Sequence, residues 1–148
     1  MKIPDWCDLE SHLKTEQYFF ETLPSTSKKL IVVSLSKNFV DSILFCRKIC
    51  GRMVLPNSQK ESDELSSIAK RYEKNFPIRY SDADREGNWG DFDNGATVNF
   101  RNWASGQPRE YDSYAGYLDF AYFSSDGKMY ATSRGAHGSV ICELSQES

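Results

Sequence analysis

Hydrolytic, metal and phosphate chemistry draw on a short list of side chains, and this 148-residue chain holds few of them in usable patterns. Its histidines are His12 and His137. His137 lies in Gly135-Ala136-His137-Gly138, which reads as a turn that exposes the imidazole rather than holding it as a general base. No spacing sets a serine, a histidine and an acid into a nucleophilic triad. The phosphate-cradling pattern Gly-x-x-x-x-Gly-Lys is absent, and Gly87-Asn88-Trp89-Gly90 opens no helical pattern. The cysteines are Cys7, Cys46, Cys50 and Cys142; none forms a Cys-x-x-Cys pair, so with two histidines the donor set does not make a zinc site. The remaining chemistry is acidic. Asp82 and Glu86 stand four apart, with Asp84, Asp91 and Asp93 close by. Carboxylates so placed can hold a hard cation or, across a cleft, serve glycoside hydrolysis. The plainer reading is a solvated acidic loop, and the expectation is a protein that is not an enzyme.

The elements that would position these residues change character midway. Residues 1–23 form a lead-in, in which Trp6, Leu9, Leu13 and Phe20 share a helical spacing while Tyr18-Phe19-Phe20 suits a strand equally well. Pro24-Ser25-Thr26-Ser27 reads as a turn and Leu30-Ile31-Val32-Val33 as a buried strand. Ser36 can cap a helix with apolar positions Phe39, Ile43, Cys46 and Ile49 or Cys50, which Gly51 would end. A second helix follows Pro56, with Ser58 and Glu61 as a capping box and Leu65, Ile68, Ala69 and Tyr72 as its stripe. After Phe76, glycines punctuate short apolar runs, and Asp93-Asn94-Gly95 is a tight-turn signal. Helices early and strands late predict an α+β domain over residues 24–144, with 145–148 a polar tail.

Composition narrows the function. Nine Phe, eight Tyr and three Trp favour a folded core over disorder. A net charge of −3 and a pI near 5.4 argue against non-specific nucleic-acid binding. Apolar runs such as Leu30–Val33 are too short to insert into a membrane, and mean hydropathy is −0.59. Met1–Ile3 runs straight into Pro4, Asp5 and Trp6, without the apolar run of a secretory signal.

Phe39-x2-Ser42-x3-Cys46, Gly51-Arg52-Met53-Val54-Leu55-Pro56, Ser58-x2-Glu61-x3-Leu65, Glu86-Gly87-Asn88-Trp89 with Asp93-Asn94-Gly95, Asn102-Trp103 with Gly106-Gln107-Pro108, and the closing Ile141-Cys142-Glu143 occur in a fixed order. That order resembles the C-type lectin-like domain, from about Leu30 to Glu143. The resemblance implies an α+β fold with two helices beside mostly antiparallel sheets and a long loop region. It implies a Cys46–Cys142 disulfide, which would close a span of 96 residues; loop closure of that length contributes about 4–5 kcal/mol in a chain-entropy account. Two buried thiols are the alternative. Cys7 and Cys50 either pair with each other or leave Cys7 to bond outside the domain. A disulfide also implies an extracellular or cell-surface setting, with any signal peptide outside this chain.

Departures from the family carry the functional reading. Sugar-binding members hold calcium with a Glu-Pro-Asn or Gln-Pro-Asp triplet and a later Trp-Asn-Asp triplet. Here they read Gln107-Pro108-Arg109 and Met129-Tyr130-Ala131. Arg109 puts a permanent cation where an oxygen is needed, and Ala131 removes one. No cofactor is therefore expected at that site. Asp82 and Glu86, with Glu110 as a third ligand, echo the family's auxiliary calcium site and leave calcium open there. Trp89, Trp103 and Phe100 resemble core residues. The loop around Arg109, Glu110, Tyr111, Asp112 and Tyr114, together with Tyr130, is rich in the residue types that dominate protein interfaces. The expected partner is a protein or peptide, bound without calcium; a free sugar bound at a non-standard site, or a small hydrolytic activity, are the alternatives.

Overall fold

The computed structural model describes residues 13, 17–84, 86–97, 102–113 and 116–144. Strands β1 (Tyr18–Thr22) and β2 (Lys29–Lys37) form a hairpin. Its turn is closed by the Ser27 N–H donating to the Leu23 carbonyl at 2.8 Å. Of the lead-in, Leu13 is helical and buried, whereas Tyr18–Thr22, including Phe20, is strand; Trp6 and Leu9 lie outside the described residues. Helix α1 (Phe39–Lys48) follows, then β3 (Gly51–Met53), helix α2 (Gln59–Tyr72), β4 (Phe76–Ser81) and β5 (Gly90–Asp91). A hairpin of β6 (Tyr111–Asp112) and β7 (Gly116–Tyr117) precedes β8 (Phe120–Phe123), β9 (Met129–Thr132) and β10 (Gly138–Leu144). One antiparallel sheet runs β1-β2-β10-β3 and a second β5-β4-β8-β9. The architecture is α+β, as expected.

Three local details differ from the sequence reading. The cap of α1 is Asn38, whose Oδ1 accepts the Asp41 N–H at 2.8 Å. Ser36 is instead consumed by β2, which extends to Lys37 because Lys37 pairs with Gly138. Gly51 does not end α1: Cys50 takes the left-handed turn (φ 61°), and Gly51 opens β3. Glycine is needed there because a Cβ would lie 2.5 Å from the Glu143 carbonyl oxygen across the β3–β10 pair. In α2, the Ser58 hydroxyl accepts the Glu61 N–H at 3.1 Å, but Glu61 returns its carboxylate to the Asn57 N–H at 2.8 Å, one residue outside the reciprocal capping arrangement.

The core has two parts. One packs Leu30, Val32, Leu65, Ile68, Phe76, Ile78, Phe123 and Ile141 between the sheets and α2. The other packs Ile31, Val33, Phe39, Ile43, Ile49 and Val140 between α1 and the first sheet. Alternation along β2 supplies both, since successive strand residues face opposite sides. Within the second part, Cys46 of α1 and Cys142 of β10 are bonded, with Cα atoms 5.5 Å apart. Cys50 is also disulfide-bonded; Cys7 lies outside the described residues.

A buried ionic chain ties the sheets together. Arg79 of β4 pairs with Asp91 of β5 through Nε–Oδ1 at 3.0 Å and Nη2–Oδ2 at 3.2 Å, and its Nη1 donates to the Met53 carbonyl at 2.7 Å. The Glu143 carboxylate accepts the Leu55 N–H at 2.9 Å and lies 3.1 Å from Lys28 Nζ, which also reaches Glu61 at 3.0 Å. Burial opposes ionisation of Asp91, but Arg79, the Asp93 N–H and Arg52 outweigh it and hold its carboxyl below the ordinary range. Glu61 is likewise held low: burial opposes ionisation, and Thr26, the Asn57 N–H and Lys28 overcome it.

Candidate functional site

The long excursion between β5 and β8 begins against β9. Trp103 faces Met129 in a parallel bridge and packs edge-on against Trp89, with ring centroids 5.0 Å apart. Tyr80 lies over Trp89 at 5.5 Å, and burial pushes its hydroxyl up to about 12. These tryptophans therefore belong to the core face, as expected; Phe100 lies outside the described residues.

Beyond Trp103 the chain turns outward into the β6–β7 hairpin. Arg109, Glu110, Tyr111 and Asp112 come together on it. Arg109 Nη2 lies 3.5 Å from Asp112 Oδ2, and the Glu110 carbonyl accepts the Leu118 N–H at 3.0 Å. Tyr111 is 56% exposed and meets Tyr117 edge-to-face at 5.4 Å. Tyr117 is 65% exposed and Leu118 beside it is buried, as alternation along a strand requires. Gly116, opposite Asp112 in the hairpin, takes a positive φ of 86°, which glycine tolerates. Tyr114 lies outside the described residues. Tyr130 sits apart from this group, stacked on Tyr122 at 5.6 Å with its hydroxyl donating to Asp126 at 2.5 Å.

The positions of the sugar-site triplets do not fit a calcium ion. The Gln107 amide oxygen accepts N–H groups from Ala131 (3.0 Å) and Arg109 (3.2 Å), Arg109 contributes a guanidinium, and Ala131 has no side-chain oxygen. A calcium ion needs six to eight oxygens.

The acidic residues behave differently. Asp82, Glu86 and Asp119 offer one oxygen each within 4.8 Å of one another. The third member is Asp119, not Glu110. Pairing of β4 with β8 sets Ser81 opposite Phe120, so the Asp82 N–H donates to the Asp119 carbonyl at 3.2 Å and their side chains converge. Asp82 is 2% exposed; its Oδ2 accepts the Gly87 N–H at 2.8 Å, whereas Oδ1, like Asp119 Oδ1, is buried without a hydrogen-bond partner. Burial pushes both carboxyls above the ordinary range; the Asp119 carboxylate adds to this at Asp82, and Glu86 adds to it at Asp119. Orphaned buried oxygens beside a third carboxylate are donors that a hard cation would satisfy. These three carboxylates would supply part of the oxygen shell of a calcium ion.

His137 is exposed, with Nδ1 3.3 Å from the Ser36 hydroxyl. His12 lies outside the described residues. No helix among the described residues is long and apolar enough to cross a membrane.

Helices α1 and α2, a disulfide from α1 to β10, and a long loop leaving a second small sheet make up an α+β domain. The Lectin C-type domain matches residues 35–144, and the chain belongs to that family. Pulmonary surfactant-associated protein D of Sus scrofa is 28% identical over 108 residues, which cover 73% of this chain and 28% of that protein. Collectin-43 of Bos taurus is 24% identical over 108 residues, covering 73% of this chain and 33% of the relative. The chain thus spans about a third or less of the curated relatives it matches. Among solved structures, the mouse scavenger receptor C-type lectin carbohydrate-recognition domain superposes with a TM-score of 0.75 at 25% identity, covering 86% of this chain and 96% of that one. The human counterpart gives 0.73 at 22% identity, with the same coverage.

Proposed function

We propose that this chain is a non-enzymatic recognition module that binds a protein or peptide without a calcium-coordinated contact. The observation that carries the reading is the exposed Tyr111–Tyr117 pair beside Arg109, on a loop whose calcium-type oxygen is already hydrogen-bonded to backbone. Tyrosine offers flat contact area at low entropic cost, and a guanidinium pairs with carboxylates through parallel hydrogen bonds. The bound Cys46 and Cys142 support an extracellular or cell-surface setting. Asp82, Glu86 and Asp119 would hold calcium as a structural ion, remote in role from the ligand.

A glycan array run with and without chelator, beside an extracellular pull-down, tests this. The expected result is a captured protein whose retention is unchanged by chelation. Glycan binding abolished by chelator would overturn the reading in favour of a calcium-dependent lectin.

A further inference from the structure

The long loop is joined to β9 partly by backbone and partly by one side chain. The Met129 N–H donates to the Asn102 carbonyl at 2.7 Å, and the Ala104 N–H to the Met129 carbonyl at 2.9 Å. The following residue on the same side of β9 is Ala131. Backbone does not supply its acceptor, because the chain turns away at Ala104–Gln107: the Gln107 N–H bonds the Ala104 carbonyl at 3.0 Å, and Gly106 takes a positive φ of 81°. Gln107 Oε1 supplies it instead, accepting the Ala131 N–H at 3.0 Å and the Arg109 N–H at 3.2 Å. Ala131 is buried, so its N–H has little access to water as a substitute. Both acceptor directions of the amide oxygen are spent.

We propose that Gln107 is the positioning residue of the recognition loop: its amide oxygen bridges β9 and the Arg109 segment. This rests on the reading of that loop as the ligand-contacting element. A side-chain oxygen holding two backbone N–H groups fixes the loop's departure from the strand and leaves no acceptor for calcium. The loop then keeps its shape regardless of calcium concentration.

Amide hydrogen exchange and side-chain amide resonances on the full chain test this without any ligand. In Gln107→Ala, the Ala131 amide should exchange about threefold faster or more, relative to Val32 and Ile141 as internal references for global opening. Gln107→Glu should restore Ala131 protection at neutral pH, since an ionised carboxylate accepts both N–H groups. In Asp82→Asn, which removes a carboxylate from the acidic cluster, millimolar calcium chloride should leave the Gln107 side-chain amide resonances in place. The proposal is overturned by Ala131 exchange that tracks the references in Gln107→Ala, by failure of the Glu variant to restore protection, or by a calcium-induced shift of the Gln107 amide in Asp82→Asn. Since no ligand enters the readout, these failures are distinct from a failure to find the protein partner.

Discussion

The α1–first-sheet half and the long-loop half are held together by different means. In the first, the Cys46–Cys142 bond and the packing of Phe39, Ile43, Phe45 and Ile49 converge on buried positions, and Arg79 of β4 reaches across to the Met53 carbonyl of β3. In the second, the hairpin of Tyr111–Asp112 and Gly116–Tyr117 has two residues per strand, and its aromatic rings face solvent. Its anchors are single polar contacts: Gln107 to Ala131, Arg109 to Asp112, Glu110 to Leu118. The contrast teaches a division of labour. Substitution in the first half should be felt as stability, and substitution in the second as binding.

The largest effect should come from the disulfide. Replacing Cys46 and Cys142 together by alanine should cost about 4–5 kcal/mol, read by urea denaturation, because a 96-residue closure is released in the unfolded chain. An equal loss of ligand affinity at temperatures where the variant stays folded would blur the two halves. Next, Arg79→Ala removes both guanidinium bonds to the buried Asp91 carboxylate, leaving it the Asp93 N–H and Arg52 at 4.0 Å, and should cost about 3 kcal/mol.

The acidic groups make the comparison depend on pH. Asp91 and Glu61 have lowered folded values, so their stabilisation is present above the ordinary carboxylate range and is lost as pH falls through those values. Asp82 and Asp119 have raised folded values, so their contribution is present at low pH and lost as pH rises through them. In chelator, Asp82→Asn should therefore gain stability at neutral pH relative to the wild type. Calcium should raise the wild-type Tm and leave that of Asp82→Asn nearly unmoved. A calcium shift of equal size in both would remove the ion from Asp82.

On the loop, Arg109→Ala and Tyr111→Ala should each weaken partner binding by about 1–2 kcal/mol with Tm unchanged. Retained binding in both variants would move the contact surface elsewhere, with Tyr122 and Tyr130 as the next aromatic pair to test. The smallest effect belongs to Lys60→Ala, exposed on α2, which should stay within about 0.5 kcal/mol in stability and leave binding unaltered.

Much of the frame was legible from residue order. The apolar spacing Phe39, Ile43, Cys46 and Ile49 placed α1, and Asp93-Asn94-Gly95 placed the turn after β5, because helical period and turn chemistry are local properties. Resemblance paired Cys46 with Cys142. Boundaries were less legible: Ser36 and Gly51 have the right chemistry for a cap and a stop, and both were overridden by strand pairing to β10, which lies about a hundred residues away.

The site shows the same limit. That Arg109 and Ala131 spoil the calcium triplets follows from residue identity, because a guanidinium and a methyl group bring no ligand oxygen in any conformation. Asp119 joining Asp82 does not follow, since the register between β4 and β8 sets it. Nor does the double use of the Gln107 oxygen, which depends on where a turning loop passes a strand edge 24 residues further along the chain. Side-chain type fixes what a group can donate, accept or ligate; which partner it meets is fixed by long-range pairing, whose entropic cost is met only when the whole sheet forms.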